Sequence, residues 1–390
     1  MRTVYLDNNA TTAVADEVAE QMRPFFCREY GNPSSIHTFG GKIAKLLDKS
    51  REQVAQLIGA DPSEIVFTSC GTESDSTAIR GTLESYPNKR HIITTRVEHP
   101  AVRGLCQHLS QQSYRLTELS VDREGLLNLD ELKDALDSET AIVSIMWANN
   151  ETGVLFPMDK IARIVKSAGA VFHTDAVQAA GKETIDVSKL PVDLLSISGH
   201  KLHAPKGIGV LYVRRGTRLT PLLVGGHQER GRRAGTENVP YIIGLGKACE
   251  LARQEFDQER LRIRKLRDRL EEALLSTCPG ARLNGHKTNR LVNTTSISFE
   301  YVEGEAILLL LDRLGICASS GSACTSGSLE PSHVLRAMGV PFTSAHGSIR
   351  FSLSRYNSDQ DIDYVIEHTP GIIDKLREIS PFGREKQRPS

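Results

Sequence analysis

The chain has 390 residues, more than one hydrophobic core usually serves, so a larger and a smaller domain are expected. Lysine plus arginine balance aspartate plus glutamate at 48 each, which leaves no net field to hold nucleic acid or an anionic membrane. Apolar runs such as Ile307 to Leu311 fall far short of the ~20 residues of a bilayer span, and the start MRTVYLDNN has no basic-then-apolar leader, so a cytoplasmic protein is expected.

Taken in chain order, short β-branched runs alternate with helix-like stretches between about residues 60 and 215: EIVFT, HIITT, YRLTEL, AIVSIMW, AVFHT, VDLLSIS and GIGVLYV. The alternation predicts an α/β domain whose mostly parallel, seven-stranded sheet is covered by helices. Ligands of such sheets collect at the carboxyl ends of the strands, so the residues just after each run are where chemistry is sought. Beyond Tyr241, Leu266, Leu270 and Leu274 recur at i, i+4 spacing in charged sequence, the pattern of an amphipathic helix leading into a second domain. SISFEYV, EAILLLLDRL and GSIRFSLS then read as a smaller α/β unit. The expected division is an N-terminal segment, 1–14, packing with the small domain; a large domain, 15–255; the small domain, 256–380; and a polar tail, 381–390.

Polar residues gather after these runs. FTSCGTESD leads from a strand through Gly71 to Thr72, with Asp75 three residues on, the spacing of a capping box. Free N–H groups at such a helix start bind phosphate, although most capping boxes only start helices. RVEHPAV puts His99 where an imidazole could stack on a ring and exchange protons near neutral pH, or simply be solvated. MWANNETG offers the amides of Asn149 and Asn150 to a ring hydroxyl or a carboxylate, or else forms a turn. VFHTDAVQ ends a buried-looking strand on Asp175, with Gln178 three positions on, and a buried acid needs a partner. A pyridinium nitrogen is one such partner, since a carboxylate beside it keeps the ring protonated and electron-withdrawing; a helix cap or an ion pair is the plainer role. LLSISGHKLHAPKG places Ser198, His200 and Lys201 at the next strand's end, where the amine could form a Schiff base, unless it is one more surface lysine. Ser198 and His200 could add donors to the phosphate seat. GSIRFSLSR sets Arg350 in a strand, where its fork could clamp an amino-acid carboxylate or make an ordinary ion pair.

Seven cysteines without a C-x-x-C pair argue against a disulfide framework or a structural zinc site. Cys324 stands in SSGSACTSGS with no apolar neighbours to hide among, unlike Cys317 in LGICA. It reads as an accessible thiol in a loop slim enough to enter a narrow site.

Taken together, YLDNNATT, GNPSSIH, SCGTESDSTA, EHPAV, NNETG, HTDAVQ, SGHKLHAPKG, GGHQERGRRAGTEN and SSGSACTSGSLEPSHVLRAMG resemble, in order and across nearly the whole chain, the cysteine desulfurases of the NifS/IscS family. HAPKG, HQERGRRAGTEN and SLEPSHVLRAMG are closer to the NifS branch than to the IscS branch. The resemblance implies a class V aminotransferase of fold type I, a homodimer with pyridoxal 5'-phosphate near the subunit boundary. Position by position, it implies Lys201 as the cofactor-holding amine, Asp175 on the ring nitrogen, Gln178 on the ring hydroxyl, Asn150 beside ring and substrate, and His99 stacked on the ring. Gly71, Thr72, Ser198 and His200 would bind the phosphate, joined by Thr236 reaching across from the other subunit. Arg350 would clamp the substrate carboxylate, and Cys324 would accept sulfur as a persulfide, with a transient role as an iron–sulfur cluster ligand. The implied activity turns L-cysteine into L-alanine and passes the sulfur to an iron–sulfur scaffold serving nitrogenase. A housekeeping IscS-like desulfurase, a selenocysteine lyase or another aminotransferase on the same fold are the alternatives. A non-catalytic cluster carrier lacks the clustered ligand spacing it would need.

Overall fold

Each of the seven β-branched runs forms a strand, because branched side chains pack well on a pleated surface and here find apolar cover on both faces. The computed structural model describes residues 2–320 and 331–380, so Cys324 and the polar tail expected over 381–390 lie outside the described residues. After the short β1 (Val4–Tyr5) come β2 (Ile65–Thr68), β3 (His91–Thr95), β4 (Arg115–Leu119), β5 (Thr140–Ser144), β6 (Val171–Asp175), β7 (Leu194–Ser198) and β8 (Gly209–Val213). Strands β2 to β8 make one sheet in the order β2-β8-β7-β6-β5-β3-β4. Only β8 runs against its neighbours, so the other six direct their carboxyl ends to one edge.

Successive side chains of a strand point to opposite faces. Ile65, Phe67, Ile93 and Val143 therefore join the core on one face, with the helices Thr38–Ile58 and Val239–Gln254. Val66, Ile92 and Ile142 join the core on the other, under the helices Gly71–Ser85 and Pro100–Ser110.

The leucine spacing beyond Tyr241 is a helix, Phe256–Thr277, with Leu266, Leu270 and Leu274 buried. These leucines pack with Ile297, Phe299, Ile349 and Phe351 in a separate core. Around it lie β9 (Ala281–Leu283), β10 (Thr294–Phe299), β11 (Ile316–Cys317), β12 (Ser319–Ser320) and β13 (Ser348–Ser352). Four of them form an antiparallel sheet in the order β12-β13-β10-β9, while β11 pairs in parallel with β1. Val4 and Leu6 belong to this core, Asp7 bridges to Ser352, and the Thr12 N–H reaches the His200 carbonyl at 3.0 Å. The first dozen residues thus stitch the smaller core to the carboxyl edge of the large sheet. No helix among the described residues is long and apolar enough to cross a membrane.

Candidate active site

The carboxyl edge of the large sheet opens onto a cavity of about 340 Å³, a size that suits a small organic ligand. Gly71, Thr72, His99, Asn150, Asp175, Gln178, Ser198, His200 and Lys201 all line it, and Arg350 of β13 closes it from the smaller sheet. Thr236 is exposed and does not line it in the single chain, and Cys324 falls outside the described residues.

The helix after β2 does not begin as its sequence suggests. It starts at Gly71 with Cys70 as N-cap, and no side chain caps it, so the box expected from Thr72 and Asp75 does not form. Asp75 is instead buried at the cavity, and its Oδ1 has no hydrogen-bond partner among the described residues. A Cβ on Gly71 would stand 2.9 Å from Val177 Cγ2, so glycine is what lets the helix start come this close to the strand ends. Uncapped N–H groups and the positive end of a helix dipole make a seat for an anion.

After β7 the chain tightens into one turn, Gly199–Lys201, where a side chain at 199 would meet Ile208 Cγ2 at 2.7 Å. The turn brings Lys201 Nζ to the carbonyls of Asn9 (2.5 Å) and Ala10 (2.7 Å). His200 meets the Thr11 hydroxyl through Nδ1 at 3.1 Å. Burial, reinforced by Lys201, pulls the His200 pKa down to about 4, so the ring is neutral near pH 7.

Asp175 ends β6 in near-complete burial, with Oδ1 accepting the Val177 N–H at 2.8 Å. Burial raises its pKa, opposed by His99, by that N–H and by Lys201. Its ionised form therefore gains from any further cation in the cavity. His99 is the N-cap of Pro100–Ser110, and its Nδ1 accepts the Ala101 N–H at 3.2 Å. In the neutral ring the proton must then sit on Nε2. Burial lowers the His99 pKa against the pull of Asp175, and Lys201 adds to the lowering.

The two asparagines part company. Asn149 is consumed by the backbone, its Oδ1 accepting from Glu151 and Thr152 N–H (3.0 and 2.9 Å) and its Nδ2 donating to the Val97 carbonyl (3.0 Å). Only Asn150 lines the cavity, so Asn149 is the turn residue of the plainer reading. Gln178 is engaged at both ends: Nε2 donates to the Asn9 carbonyl at 3.0 Å, and Oε1 accepts from Lys182 at 3.3 Å. Arg350 is both an ion pair and a lining fork. Its Nη2 donates to Asp7 Oδ1 at 2.7 Å and its Nη1 to the Asn150 carbonyl at 3.1 Å, while Nε is buried without a partner among the described residues.

Sequence reasoning misses Asn9, which organises this corner. Its carbonyl takes both Lys201 and Gln178, its Nδ2 reaches the Asn150 carbonyl (3.1 Å) and the Thr294 hydroxyl (2.9 Å), and its Oδ1 accepts from Asn293 (3.1 Å). The available signal is the polar triplet Asp7-Asn8-Asn9 straight after an apolar strand, since buried polar groups must find partners. Of Cys70 and Cys317, the cysteines whose segments adjoin the candidate site in sequence, only Cys70 lines the cavity.

Residues 4–365 match the profile of a family described as aminotransferase class-V. Over 386 residues, 99% of this chain and 96% of the relative, the sequence is 60% identical to a cysteine desulfurase of Trichormus azollae. It is 57% identical over 383 residues, 98% of this chain and 95% of the relative, to the cysteine desulfurase NifS of Azotobacter vinelandii. Among solved structures, a NifS-like protein superposes with a TM-score of 0.90 at 40% identity, covering 96% of this chain and 100% of its own. SspA in complex with cysteine superposes with a TM-score of 0.81 at 34% identity, covering 91% of this chain and 100% of its own.

Proposed function

The chain belongs to the aminotransferase class-V family, and on that premise we propose that it is a cysteine desulfurase using pyridoxal 5'-phosphate, which moves sulfur from free L-cysteine onto Cys324 and releases L-alanine. The observation that carries the reading is the meeting, in one cavity, of the Lys201 amine, the buried Asp175 carboxylate and the uncapped helix start at Gly71. These groups fit the cofactor: an amine to hold its aldehyde carbon, a buried carboxylate for its ring nitrogen, and N–H groups for a phosphate. When bound, pyridoxal phosphate supplies a conjugated ring that accepts the electron pair released at the substrate α-carbon.

The chain's own groups do the rest. Gly71 and Thr72 N–H groups, Ser198 and neutral His200 would hold the phosphate, with Thr236 of a second copy. Asp175 would hold a proton on the ring nitrogen, a cation that restores the ionisation its burial opposes. His99 would lie over the ring with its proton on Nε2, while Gln178 and Asn150 would flank the ring edge. Arg350 would orient the substrate carboxylate through donors that now serve Asp7 and Asn150 and through Nε, which has no partner among the described residues. Lys201, displaced by the substrate amine, would take the proton from the α-carbon and later return one. The Cys324 thiolate would attack the substrate sulfur: the S–S bond forms as the Cβ–S bond breaks, and the carbon left with the electron pair takes a proton. L-cysteine and a thiol thus give L-alanine and a persulfide, with atoms and charge conserved.

The likeness to SspA in complex with cysteine supports free cysteine as the substrate. The nearness of the motifs to the NifS branch supports a cytoplasmic homodimer that hands its persulfide to an iron–sulfur scaffold serving nitrogenase. Borohydride reduction of the holoprotein should fix the cofactor on the peptide containing Lys201, and L-cysteine with a reductant should yield alanine and sulfide in equal amounts. Label on another lysine, or keto acid in place of alanine, overturns the reading.

A further inference from the structure

Lys201 is the one described residue shared by the linings of the candidate active-site cavity and a second. The second is smaller, about 50 Å³, and lies where Asn8 and Thr12, the loop at Lys182 and the helix Phe256–Thr277 meet. At ~10–15 Å³ for each water-sized probe it has room for roughly four waters. Asn8, Thr12, Lys182, Asn293 and Glu259 line it and would supply the polar partners such waters need. The cavity also has an outlet. Glu259 lines it, yet keeps 25% of its side chain in solvent, where its Oε1 forms an ion pair with Arg355, 3.1 Å from Nε.

When cofactor and substrate fill the larger cavity, they displace the water in front of Lys201. A proton taken from the substrate then needs another way to reach solvent. We propose that the smaller cavity is a hydrated proton route linking Lys201 to solvent through Glu259, so that the lysine exchanges the substrate's α-proton while the active site is closed. This rests on the proposed role of Lys201 as α-proton acceptor. The step is a simple exchange: Lys201 becomes an ammonium on taking the proton, gives one proton to a cavity water and takes another back. Burial raises the Glu259 pKa to about 7 against Arg355, and burial together with Lys201 and Arg350 lowers that of Lys182 to about 7, so both groups trade protons readily near neutrality.

The test converts L-cysteine deuterated at the α-carbon with the holoenzyme in H2O and measures deuterium at the α-carbon of the alanine formed. The parent enzyme should retain little. Ala252→Leu, which enlarges a side chain lining the small cavity, and Glu259→Gln, which removes the titrating outlet, should each raise retention severalfold at unchanged cofactor content. If Ala252→Leu does not fold, Glu259→Gln carries the test alone. High retention in the parent enzyme, or retention unchanged in folded and loaded variants, overturns the route and leaves the role of Lys201 standing. Deuterium loss from recovered L-cysteine that persists in Lys201→Ala would instead overturn the role of Lys201.

Discussion

Replacing Arg350 with lysine keeps the positive charge and removes the planar fork, so it separates charge from shape at the carboxylate site. The Arg350 side chain is 5% exposed, and its guanidinium donates to Asp7 at 2.7 Å and to the Asn150 carbonyl at 3.1 Å. An ammonium on the same backbone can keep the Asp7 pair, where charge attracts it, but cannot also supply parallel donors to a substrate carboxylate. Losing one charge-assisted hydrogen bond to the substrate costs about 1–3 kcal/mol, or about a 5- to 150-fold fall in kcat/KM. The rise should fall mainly on KM, because the carboxylate is held in bound substrate and transition state alike. The stability cost should be about 1.5–3 kcal/mol, the net worth of one hydrogen bond made by a charged group. Asp7 retains a cation, and the Asn150 carbonyl still accepts from Asn9 Nδ2 at 3.1 Å. Alanine formation at varied L-cysteine gives kcat and KM, and thermal unfolding gives the stability. An unchanged kcat/KM beside a large stability loss would refute the clamp and leave Arg350 as a tie for the N-terminal segment.

Cys324→Ala should bind cofactor normally but lose persulfide and alanine formation, while Cys27→Ala and Cys70→Ala keep both; persulfide found by mass spectrometry in the Cys324→Ala protein would shift the acceptor to Cys70, which lines the cavity. Glu229→Ala should cost about 3–5 kcal/mol in denaturant unfolding. It strands the buried Arg51, which donates to Glu229 at 2.7 and 2.8 Å, and the Phe67 N–H, which donates at 2.9 Å; a loss under about 1 kcal/mol would mean the guanidinium finds other partners. His173 is buried between the Ser144 and Ser196 hydroxyls at 2.8 and 3.0 Å, and burial lowers its pKa from 6.5 to about 3. The unfolded chain takes this proton first as pH falls, so the stability the group contributes is full above 6.5 and is lost between 6.5 and about 3, by up to about 1.4 kcal/mol per pH unit. His173→Gln should therefore lose less stability than the parent chain between pH 7 and pH 5 in urea unfolding, and equal losses would contradict the assignment.

The positions of the seven strands, and of Asp175 at the end of one and Lys201 and His99 just beyond two others, were legible in the sequence. Branched side chains favour pleated backbone within a few residues, and a parallel arrangement gathers strand ends at one edge. Local chemistry did not reach the order of the strands, the reversal of β8, or its place beside β2, since each depends on pairing between distant segments. Thr72 and Asp75 satisfy a capping pattern, yet with Gly71 packed close to Val177 the helix starts two residues earlier, on Cys70 as N-cap, and Asp75 is buried at the cavity. Asn149 and Asn150 are chemically identical neighbours, and only the path of the turn decides which amide meets the cavity. Likewise Asn9 and Arg350 acquire their roles where the N-terminal segment crosses from the smaller sheet to the larger. Residue type and spacing determine which chemistry the chain can offer; the packing of two cores against each other decides which of those groups share a cavity, because hydrogen bonds and ion pairs act over a few ångströms in space and take no account of distance along the chain.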